Sequence, residues 1–235
     1  MSGDAEPMRY LTVVTYGRTG STAVQMALNA LPGVLVRGEN YSALRGLNAY
    51  VQAVAETAGR HRGGKPGSPW FGARFLVPAD VLTDLRRHVV EQVLQPAEDT
   101  RWLGFKEVRY EPGHFPTYDE LLNYLLFLDK LLPGVRYLVN VRAPDAAALS
   151  GWWPGNVNAL EVLRTTRTWL ADATVDLNRM LGDRTAELVD YDDWTADPQV
   201  LIDAFASLGL PRDDGAVRAA LAKRLDHGAH GQPGG

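Results

Sequence analysis

Residues 10–31 contain three consecutive features: a short apolar run, a turn with two glycines, and apolar residues spaced as on one face of a helix. The apolar run is typical of a strand covered on both faces, and its apolar members are Leu11, Val13 and Val14. A side chain would obstruct the turn that Gly17 and Gly20 bracket. The apolar stripe follows one face of a helix, at Val24, Leu28 and Leu31. The stretch therefore predicts a strand, a glycine turn and an amphipathic helix, the opening unit of an α/β protein.

The turn between this strand and this helix has the composition of an anion-binding loop. It carries one guanidinium and three hydroxyls, on Arg18, Thr19, Ser21 and Thr22. The first amides of a helix lack intrahelical partners, so the expected anion is a phosphate or a sulfate ester. The Walker pattern of nucleotide kinases is absent, because no lysine follows Gly20. Taken alone, the loop also fits an ordinary strand–helix turn in which the serine caps the helix.

Length, charge and cysteine content bound the class of protein. A chain of 235 residues with 46% hydrophobic content fits a single α/β domain over residues 1–235. A net charge of −4 argues against a general nucleic-acid binder. The absence of cysteine excludes disulfides and thiolate metal sites and fits a reducing compartment. The apolar run at 10–14 is too short for a signal segment or a membrane span, so we expect a cytoplasmic protein without a membrane partner.

Strand and helix patterns alternate along the rest of the chain. Apolar runs predict strands near residues 10–14, 34–36, 102–108, 135–141 and 185–189. Helical spacing, caps and stop signals predict helices near residues 21–31, 41–57, 78–94, 117–132, 159–181 and 198–208. This alternation implies a central, mainly parallel sheet flanked by helices, a three-layer α/β fold. The glycine-rich stretch near 59–69 predicts a mobile loop, and residues 227–235 predict a frayed tail.

A second candidate for anion binding follows the predicted strand at 135–141. Arg142 stands at the carboxyl end of that strand, where ligand groups cluster in open α/β sheets. Ser150 lies eight residues later, on the helix expected to follow. A guanidinium is a planar fork suited to phosphate, and a hydroxyl adds one more donor. The alternative is a surface arginine that pairs with Asp145, with an ordinary serine inside a helix.

The two sites together resemble the sulfotransferases that use 3′-phosphoadenosine 5′-phosphosulfate (PAPS), which have a P-loop-like fold. Residues 18–22 resemble that family's loop for the 5′-phosphosulfate, and Arg142 and Ser150 have its spacing for the 3′-phosphate. Residues 189–198 and 208–211 resemble its Tyr-Glu-Asp-Leu segment and its Leu-Gly-Leu-Pro ending. The resemblance implies PAPS as donor, adenosine 3′,5′-bisphosphate (PAP) as product and no metal. The residues implied in binding are Arg18, Thr19, Gly20, Ser21, Thr22, Arg142, Ser150 and Tyr191.

The resemblance also implies a catalytic set. Tyrosylprotein and bacterial small-molecule sulfotransferases place a Gly-Glu pair after the second strand, and Gly38-Glu39 matches it. Glu39 is then the base for the acceptor's proton. Lys106 matches the lysine near the transferring group, and Arg18 is a second catalytic cation. The alternatives are a solvated glutamate and a surface lysine that pairs with Glu107.

Two family features have no clear counterpart in the sequence. The cytosolic type uses a catalytic histidine in mid-chain, and no histidine here has similar neighbouring residues. If Glu39 is not the base, His61 and His114 are the next candidates. Many members also end in a basic, glycine-rich loop that clamps the nucleotide. The tail here offers for that role only Lys223, Arg224, His227 and the glycines that follow.

These expectations favour transfer of a sulfuryl group from PAPS to a hydroxyl, or an amine, of a small metabolite in bacterial secondary metabolism. Four aromatic residues are candidates for an apolar acceptor wall: Trp70, Phe71, Trp152 and Trp153. The competing functions are a kinase-like phosphotransferase on the same fold, which would need the missing lysine, and a nucleotide-binding protein without catalysis. We expect a small-molecule acceptor and no nucleic-acid partner. The sequence is compatible with a homodimer as well as with a monomer.

Overall fold

The structure is a computed structural model that describes residues 7–60 and 65–229, with side chains to residue 223. Its centre is a five-stranded sheet in which every pairing between strands is parallel. The strands are β1 (Arg9–Thr15), β2 (Val34–Arg37), β3 (Trp102–Glu107), β4 (Arg136–Val141) and β5 (Ala186–Asp190). Their spatial order is β2-β3-β1-β4-β5, so β1 lies in the middle with β3 and β4 beside it. The predicted α/β fold with a mainly parallel central sheet is confirmed.

Helices connect the strands and cover both faces of the sheet. They are α1 (Ser21–Asn29), α2 (Ala43–Arg60), α3 (Pro78–His88), α4 (Tyr118–Leu131), α5 (Pro144–Ala148), α6 (Ala159–Leu181), α7 (Tyr191–Ala196), α8 (Pro198–Ser207) and α9 (Asp214–Ala229). Several begin at caps that the sequence signals: the Thr117 hydroxyl accepts from the amide of Glu120, and the Asp197 carboxylate accepts from that of Gln199. Over the described ranges, no helix has the length and apolar character needed to cross a membrane.

Two apolar clusters, one on each face, hold the three layers together. Val14, Val139 and Val141 pack with apolar residues of α2, α4 and α6 in the first cluster. Leu11, Val13 and Leu138 point to the opposite face and pack with α1, α8 and α9 in the second. Successive side chains of a strand point to opposite faces, so a strand buried on both sides supplies both clusters. The two cores thus enclose the sheet, and its carboxyl edge carries the candidate site.

Three sequence expectations differ from the structure. The helix predicted over 78–94 changes at Val89, where residues 89–94 form a wider π-helical turn after α3. The strand predicted near 102–108 ends at Glu107, and it is buried at every position because β3 lies inside the sheet between β2 and β1. Helix α9 was not predicted. It packs against α1, but its apolar residues are only weakly concentrated on one face. The sequence therefore shows little helical periodicity there.

The predicted loop and tail fall partly outside the described residues. Gly59 and Arg60 end helix α2, and residues 61–64, including His61, are outside the described part of the chain. Residues 227–229 belong to α9, and residues 230–235 lie outside the described part of the chain. The side chains of Arg224 and His227, which were considered for a nucleotide clamp, are also outside the described residues.

Candidate active site

The loop between β1 and α1 has a backbone that few sequences can adopt. Arg18 has a φ of 75° and Gly20 a φ of 73°, both in the left-handed region. A Cβ atom on Gly20 would lie 2.5 Å from the ring of Tyr191, and one on Gly17 would lie 2.2 Å from the ring of Trp152. The two glycines that bracket the turn are therefore required by close approach of an aromatic ring, as the sequence suggests.

Buried hydrogen bonds fix the inner side of this loop. The Thr19 hydroxyl lies 2.6 Å from the Thr15 hydroxyl and donates to the Tyr16 carbonyl over 3.1 Å. Asn140 of β4 donates its amide to the Thr19 carbonyl over 2.9 Å, and its own oxygen accepts from the indole of Trp194 over 3.0 Å. The side chain of Thr19 thus faces the interior, so a contribution of Thr19 to anion binding would come from its backbone amide.

Asn140 is a positioning residue that sequence reasoning missed. It has no exposed surface, although it lies within an otherwise apolar strand. Buried amide groups are costly unless both ends are hydrogen-bonded, and Asn140 satisfies both, with Thr19 and Trp194. The signal available in the sequence was a single asparagine between two valines of a buried strand.

Arg142 comes directly after β4 and is tied to the loop by three contacts. Its amide donates to the Tyr16 hydroxyl over 2.9 Å, and that hydroxyl donates back to the Arg142 carbonyl. Its Nη1 donates to the Arg18 carbonyl over 3.0 Å. Its guanidinium lies 4.4 Å from the centre of the Tyr191 ring, a cation–π distance. Its Nε is buried and has no hydrogen-bond partner among the described residues. Asp145, the alternative partner, pairs with Arg164 instead.

Arg18 and Ser150 meet, although the sequence assigns them to opposite ends of the nucleotide. The Nε of Arg18 donates to the Ser150 hydroxyl over 2.9 Å. Ser150 was expected on a helix, but α5 ends at Ala148 and the serine lies in the turn that follows. The helix stops because Leu149 leaves helical geometry (φ −83°, ψ 1°), and Gly151 follows with φ +66°. The turn brings the hydroxyl back to the β1–α1 loop.

The two tryptophans after Ser150 pack on the same loop. The indole of Trp153 is buried and donates to the Gly17 carbonyl over 3.3 Å. Trp152 is 60% exposed and lies with its ring over Gly17. Ser21 is the first residue of α1 and is buried, whereas Thr22 is exposed. The loop, Arg142, Ser150 and Tyr191 therefore form one cationic, hydroxyl-bearing group, which we call the anion cluster.

A second group of charges lies at the same edge of the sheet, at the ends of β2 and β3. Lys106 is only 5% exposed, and its Nζ lies 2.7 Å from Oε1 of Glu39. The other oxygen of Glu39 lies 3.2 Å from Nη1 of Arg109. The alternative drawn from the sequence, a surface lysine paired with Glu107, is not observed. Glu107 pairs with Arg109 instead, over 3.0 Å. We call Glu39, Lys106, Glu107 and Arg109 the charge network.

Glu107 and Arg109 are the members of the charge network that the sequence did not reveal. Glu107 is 1% exposed and accepts from the amides of Ser42 and Val108, over 2.8 and 2.9 Å. Burial acts to lower the pKa of Arg109, but the carboxylates of Glu107 and Glu39 outweigh it and raise that pKa. The available signal was the run Lys-Glu-Val-Arg at the carboxyl end of a predicted strand.

Backbone pairing connects the two groups. Tyr16, at the start of the β1–α1 loop, forms an antiparallel bridge with Arg109. On the other side, the hydroxyl of the same tyrosine binds the backbone of Arg142. Tyr16 itself has no exposed surface, and burial raises the pKa of its hydroxyl, which therefore acts as a neutral hydrogen-bonding group. The anion cluster and the charge network are thus parts of one site.

The arrangement can hold an anion and can move a proton beside it. The anion cluster supplies two guanidinium groups, a hydroxyl and the amides of a helix start. The charge network supplies a half-buried carboxylate in contact with a buried ammonium group. Within residues 7–60 and 65–229, no set of three or more His, Asp or Glu side chains is arranged to hold a metal ion.

The fold that carries this site is the sulfotransferase fold. The sulfotransferase domain of the olefin synthase from Synechococcus PCC 7002 matches with a TM-score of 0.54 at 19% identity, over 92% of this chain and 78% of that domain. The sulfotransferase domain of the curacin biosynthetic pathway matches with a TM-score of 0.53 at 13% identity, over 91% of this chain and 77% of that domain. At such identities the likeness concerns the fold. No model of a known protein family matches the sequence, and no curated protein matches it.

Proposed function

We propose that this protein is a sulfotransferase that moves a sulfuryl group from PAPS to a hydroxyl, or an amine, of a small metabolite. The observation that carries the proposal is the convergence, at one edge of a sulfotransferase fold, of the anion cluster with the Lys106–Glu39 pair. A cradle for phosphate beside a carboxylate and a buried cation is what transfer of a charged group to a hydroxyl requires.

The residues of the anion cluster fit a donor that is charged at both ends. Arg142 keeps a buried Nε without a partner among the described residues, and a buried donor of this kind is satisfied by a phosphate oxygen. Ser150 and Arg18 flank the same position, and the amides at the start of α1 add donors for a second anionic group. The ring of Tyr191 packs on Gly20 and Arg142 and borders this cradle.

The donor supplies the sulfuryl group, whose bond to the bridging phosphate oxygen breaks as the bond to the acceptor oxygen forms. In this proposal Glu39 takes the proton from the acceptor hydroxyl. Lys106, held in a nearly dry environment at the end of β3, stabilises negative charge that develops on the bridging oxygen. Arg109, anchored by Glu107, holds the second oxygen of Glu39 and orients its carboxylate.

Two measurements on the purified chain test the proposal. Calorimetry should show that PAP binds at least about tenfold more tightly than AMP, since one charge-assisted phosphate contact contributes about 1.5–3 kcal/mol. Incubation with 35S-labelled PAPS and a simple alcohol or phenol in EDTA should give labelled sulfate ester. ATP in place of PAPS should give no phosphorylated acceptor.

The contrary results separate the competing functions. Equal affinity for PAP and AMP removes the role of Arg142 in binding the 3′-phosphate and, with it, the proposal that PAPS is the donor. Tight binding of PAP without transfer to any acceptor supports a nucleotide-binding protein without catalysis. Phosphoryl transfer from ATP supports the kinase-like reading.

A further inference from the structure

A wide cleft lies beside the charge network, between helix α2 and the chain that enters α4. Its volume is about 910 Å³, within the range of small-molecule sites. Polar side chains project into it from both walls: Arg45, Asn48, Gln52, His114, Glu120 and Asn123. The aromatic residues predicted to form an acceptor wall, Trp70, Phe71, Trp152 and Trp153, do not line this cleft as far as the described residues show.

One end of the cleft is joined to the proposed base. Ser42 lines the cleft, and its amide donates to the carboxylate of Glu107, which in turn holds Arg109 against Glu39. Ala43, the next lining residue, donates its amide to the side chain of Asn40, the residue after Glu39. A ligand in the cleft would therefore lie alongside the segment that carries the proposed base.

Two polar atoms in this segment are buried and have no hydrogen-bond partner among the described residues. They are Nδ2 of Asn40 and the hydroxyl oxygen of Ser42. Buried polar groups in folded proteins are nearly always hydrogen-bonded, and those that are not commonly face a ligand or water. Of these two residues only Ser42 lines the cleft, and its hydroxyl, which both donates and accepts, suits a ligand hydroxyl once the side chain turns toward the cleft.

The charge of the cleft favours a neutral, hydroxyl-rich ligand over an anion or a flat apolar one. Among the described residues, the lining holds one cation, Arg45, and one carboxylate, Glu120, whose formal charges balance. Arg45 also donates to the carbonyl of His114 and lies 5.7 Å from the centre of the Phe115 ring, which uses part of its binding capacity. Asn48 accepts a hydrogen bond from Gln52 over 3.1 Å. This wall therefore presents both a donor, the amide nitrogen of Asn48, and an acceptor, the amide oxygen of Gln52. Mixed donors and acceptors on facing walls match a ligand with several hydroxyls.

We infer that this cleft is the acceptor site and that the acceptor is a polyhydroxylated compound, such as a saccharide or a related polyol. This inference rests on the proposed sulfotransferase function. One hydroxyl of the acceptor is presented to Glu39, and the remaining hydroxyls are bound by the polar walls. On sulfation, the oxygen–sulfur bond forms at that hydroxyl, its proton passes to Glu39, and PAP leaves with the electron pair of the broken bond.

The test compares two tryptophan variants on the same helix. Ala49 lines the cleft, whereas Ala53, also exposed on α2, does not. Transfer from 35S-labelled PAPS is measured with trehalose, methyl glucoside and 2-naphthol as probes. The two polyols should be sulfated in a saturable manner, and Ala49→Trp should remove that activity. Ala53→Trp should keep it, and both variants should bind PAP as tightly as the parent.

A milder variant probes polar recognition. Asn48→Leu keeps the helix and removes one amide, so the KM for the polyol should rise about three- to tenfold, the effect of one lost hydrogen bond. Gln92→Leu, an exposed residue outside the cleft lining, is the matched control and should not change that KM.

Failure of the inference and failure of the proposed function look different. Sulfation of 2-naphthol without sulfation of the polyols would show that the cleft is not a polyol site. Parent-like sulfation of the polyols by Ala49→Trp would show the same. In both cases the sulfotransferase activity stands. If PAP binds but neither class of probe is sulfated, the inference fails together with the proposed catalysis, and a nucleotide-binding protein without catalysis is favoured. If PAP binds no better than AMP, the proposed function itself fails.

Discussion

Lys106 Nζ lies 2.7 Å from Oε1 of Glu39, although 67 residues separate the two along the chain. The contact forms because β2 and β3 are parallel neighbours, so the last residues of β3 and the residues just beyond β2 share one edge of the sheet. Lys106 is almost completely buried, whereas about a third of the Glu39 side chain is exposed. The pair therefore joins a cation fixed in the protein to a carboxylate that an acceptor can reach.

Glu39→Gln should lower turnover on an alkyl alcohol by about 10²–10⁴-fold, the usual scale of general base catalysis. Glutamine retains an oxygen that can accept from Lys106, so the buried ammonium group keeps a hydrogen bond. A nitrophenol ionises unaided and should lose much less activity, and affinity for PAP should barely change. Steady-state kinetics with both acceptors checks this. Parent-like turnover on the alcohol would place the base elsewhere, with His114 as the next candidate.

Lys106→Met should lower turnover far more than it weakens PAP binding. The product lacks the sulfuryl group, so a cation that faces charge in the transition state contributes little to product affinity. Glu39 keeps Arg109 as a partner, so the variant should fold. Lys130→Met, at an exposed position of α4, is the matched control. A loss of PAP affinity as large as the loss of turnover would assign Lys106 to nucleotide binding instead.

Arg18→Ala should weaken PAP binding as well as turnover, because the side chain lies with Ser150 in the anion cluster. Sequence reasoning names Arg18 both among the binding residues and as a cation at the transferring group, and it predicts a larger loss of turnover than of PAP affinity. Calorimetry with PAP distinguishes the two positions. Arg164→Ala, which removes an exposed guanidinium paired with Asp145, should leave PAP affinity unchanged.

Gly17→Ala should disrupt the anion cluster through Trp152, whose ring would lie 2.2 Å from the new Cβ. We expect at least about a tenfold loss of PAP affinity, since a displaced loop costs one or more charge-assisted contacts. The double variant Gly17→Ala with Trp152→Ala removes the clash and should recover most of the affinity. A double-mutant cycle measures this coupling. Strictly additive losses would mean that the ring does not restrict the loop in solution.

Glu111→Gln should stabilise the protein more at neutral pH than in acid. Burial raises the pKa of Glu111, while a hydrogen bond from its own amide and the charges of His114 and Arg109 act in the opposite direction. A carboxyl with a raised pKa favours the folded state below its ordinary value of 4.5, and that contribution is lost as the pH rises through the raised pKa. Thermal unfolding at pH 8 should therefore show a higher Tm for Glu111→Gln than for the parent.

The same comparison at pH 4 should show a smaller gain, because the carboxyl is then largely protonated in both states. Glu98→Gln, at an exposed position, should change Tm at neither pH. A gain for Glu111→Gln that is equal at pH 4 and pH 8 would point to packing and not to ionisation.

Periodicity and glycines alone determined the order of elements and the β1–α1 loop. Apolar runs and helical stripes are local patterns, so they predicted the five strands of the sheet, and the close approaches at Gly17 and Gly20 agree with the turn that the sequence indicates. Candidate charges could also be selected, because Arg142 and Glu39 follow apolar runs at sheet ends. The weakly periodic α9 was not predicted, since little in its local pattern marks it. The helix expected after Arg142 is present as α5, but the sequence did not reveal that it ends before Ser150.

Only the tertiary structure decided which charges meet. The sequence contains Lys106, Glu107 and Arg109 side by side, but the order of strands, a non-local property, determines that Lys106 faces Glu39 while Glu107 holds Arg109. The same holds for Arg18, which reaches Ser150 because α5 ends early and the chain turns back. The acceptor cleft is formed by α2 and the approach to α4, which lie far apart in the chain, so no local pattern could reveal it.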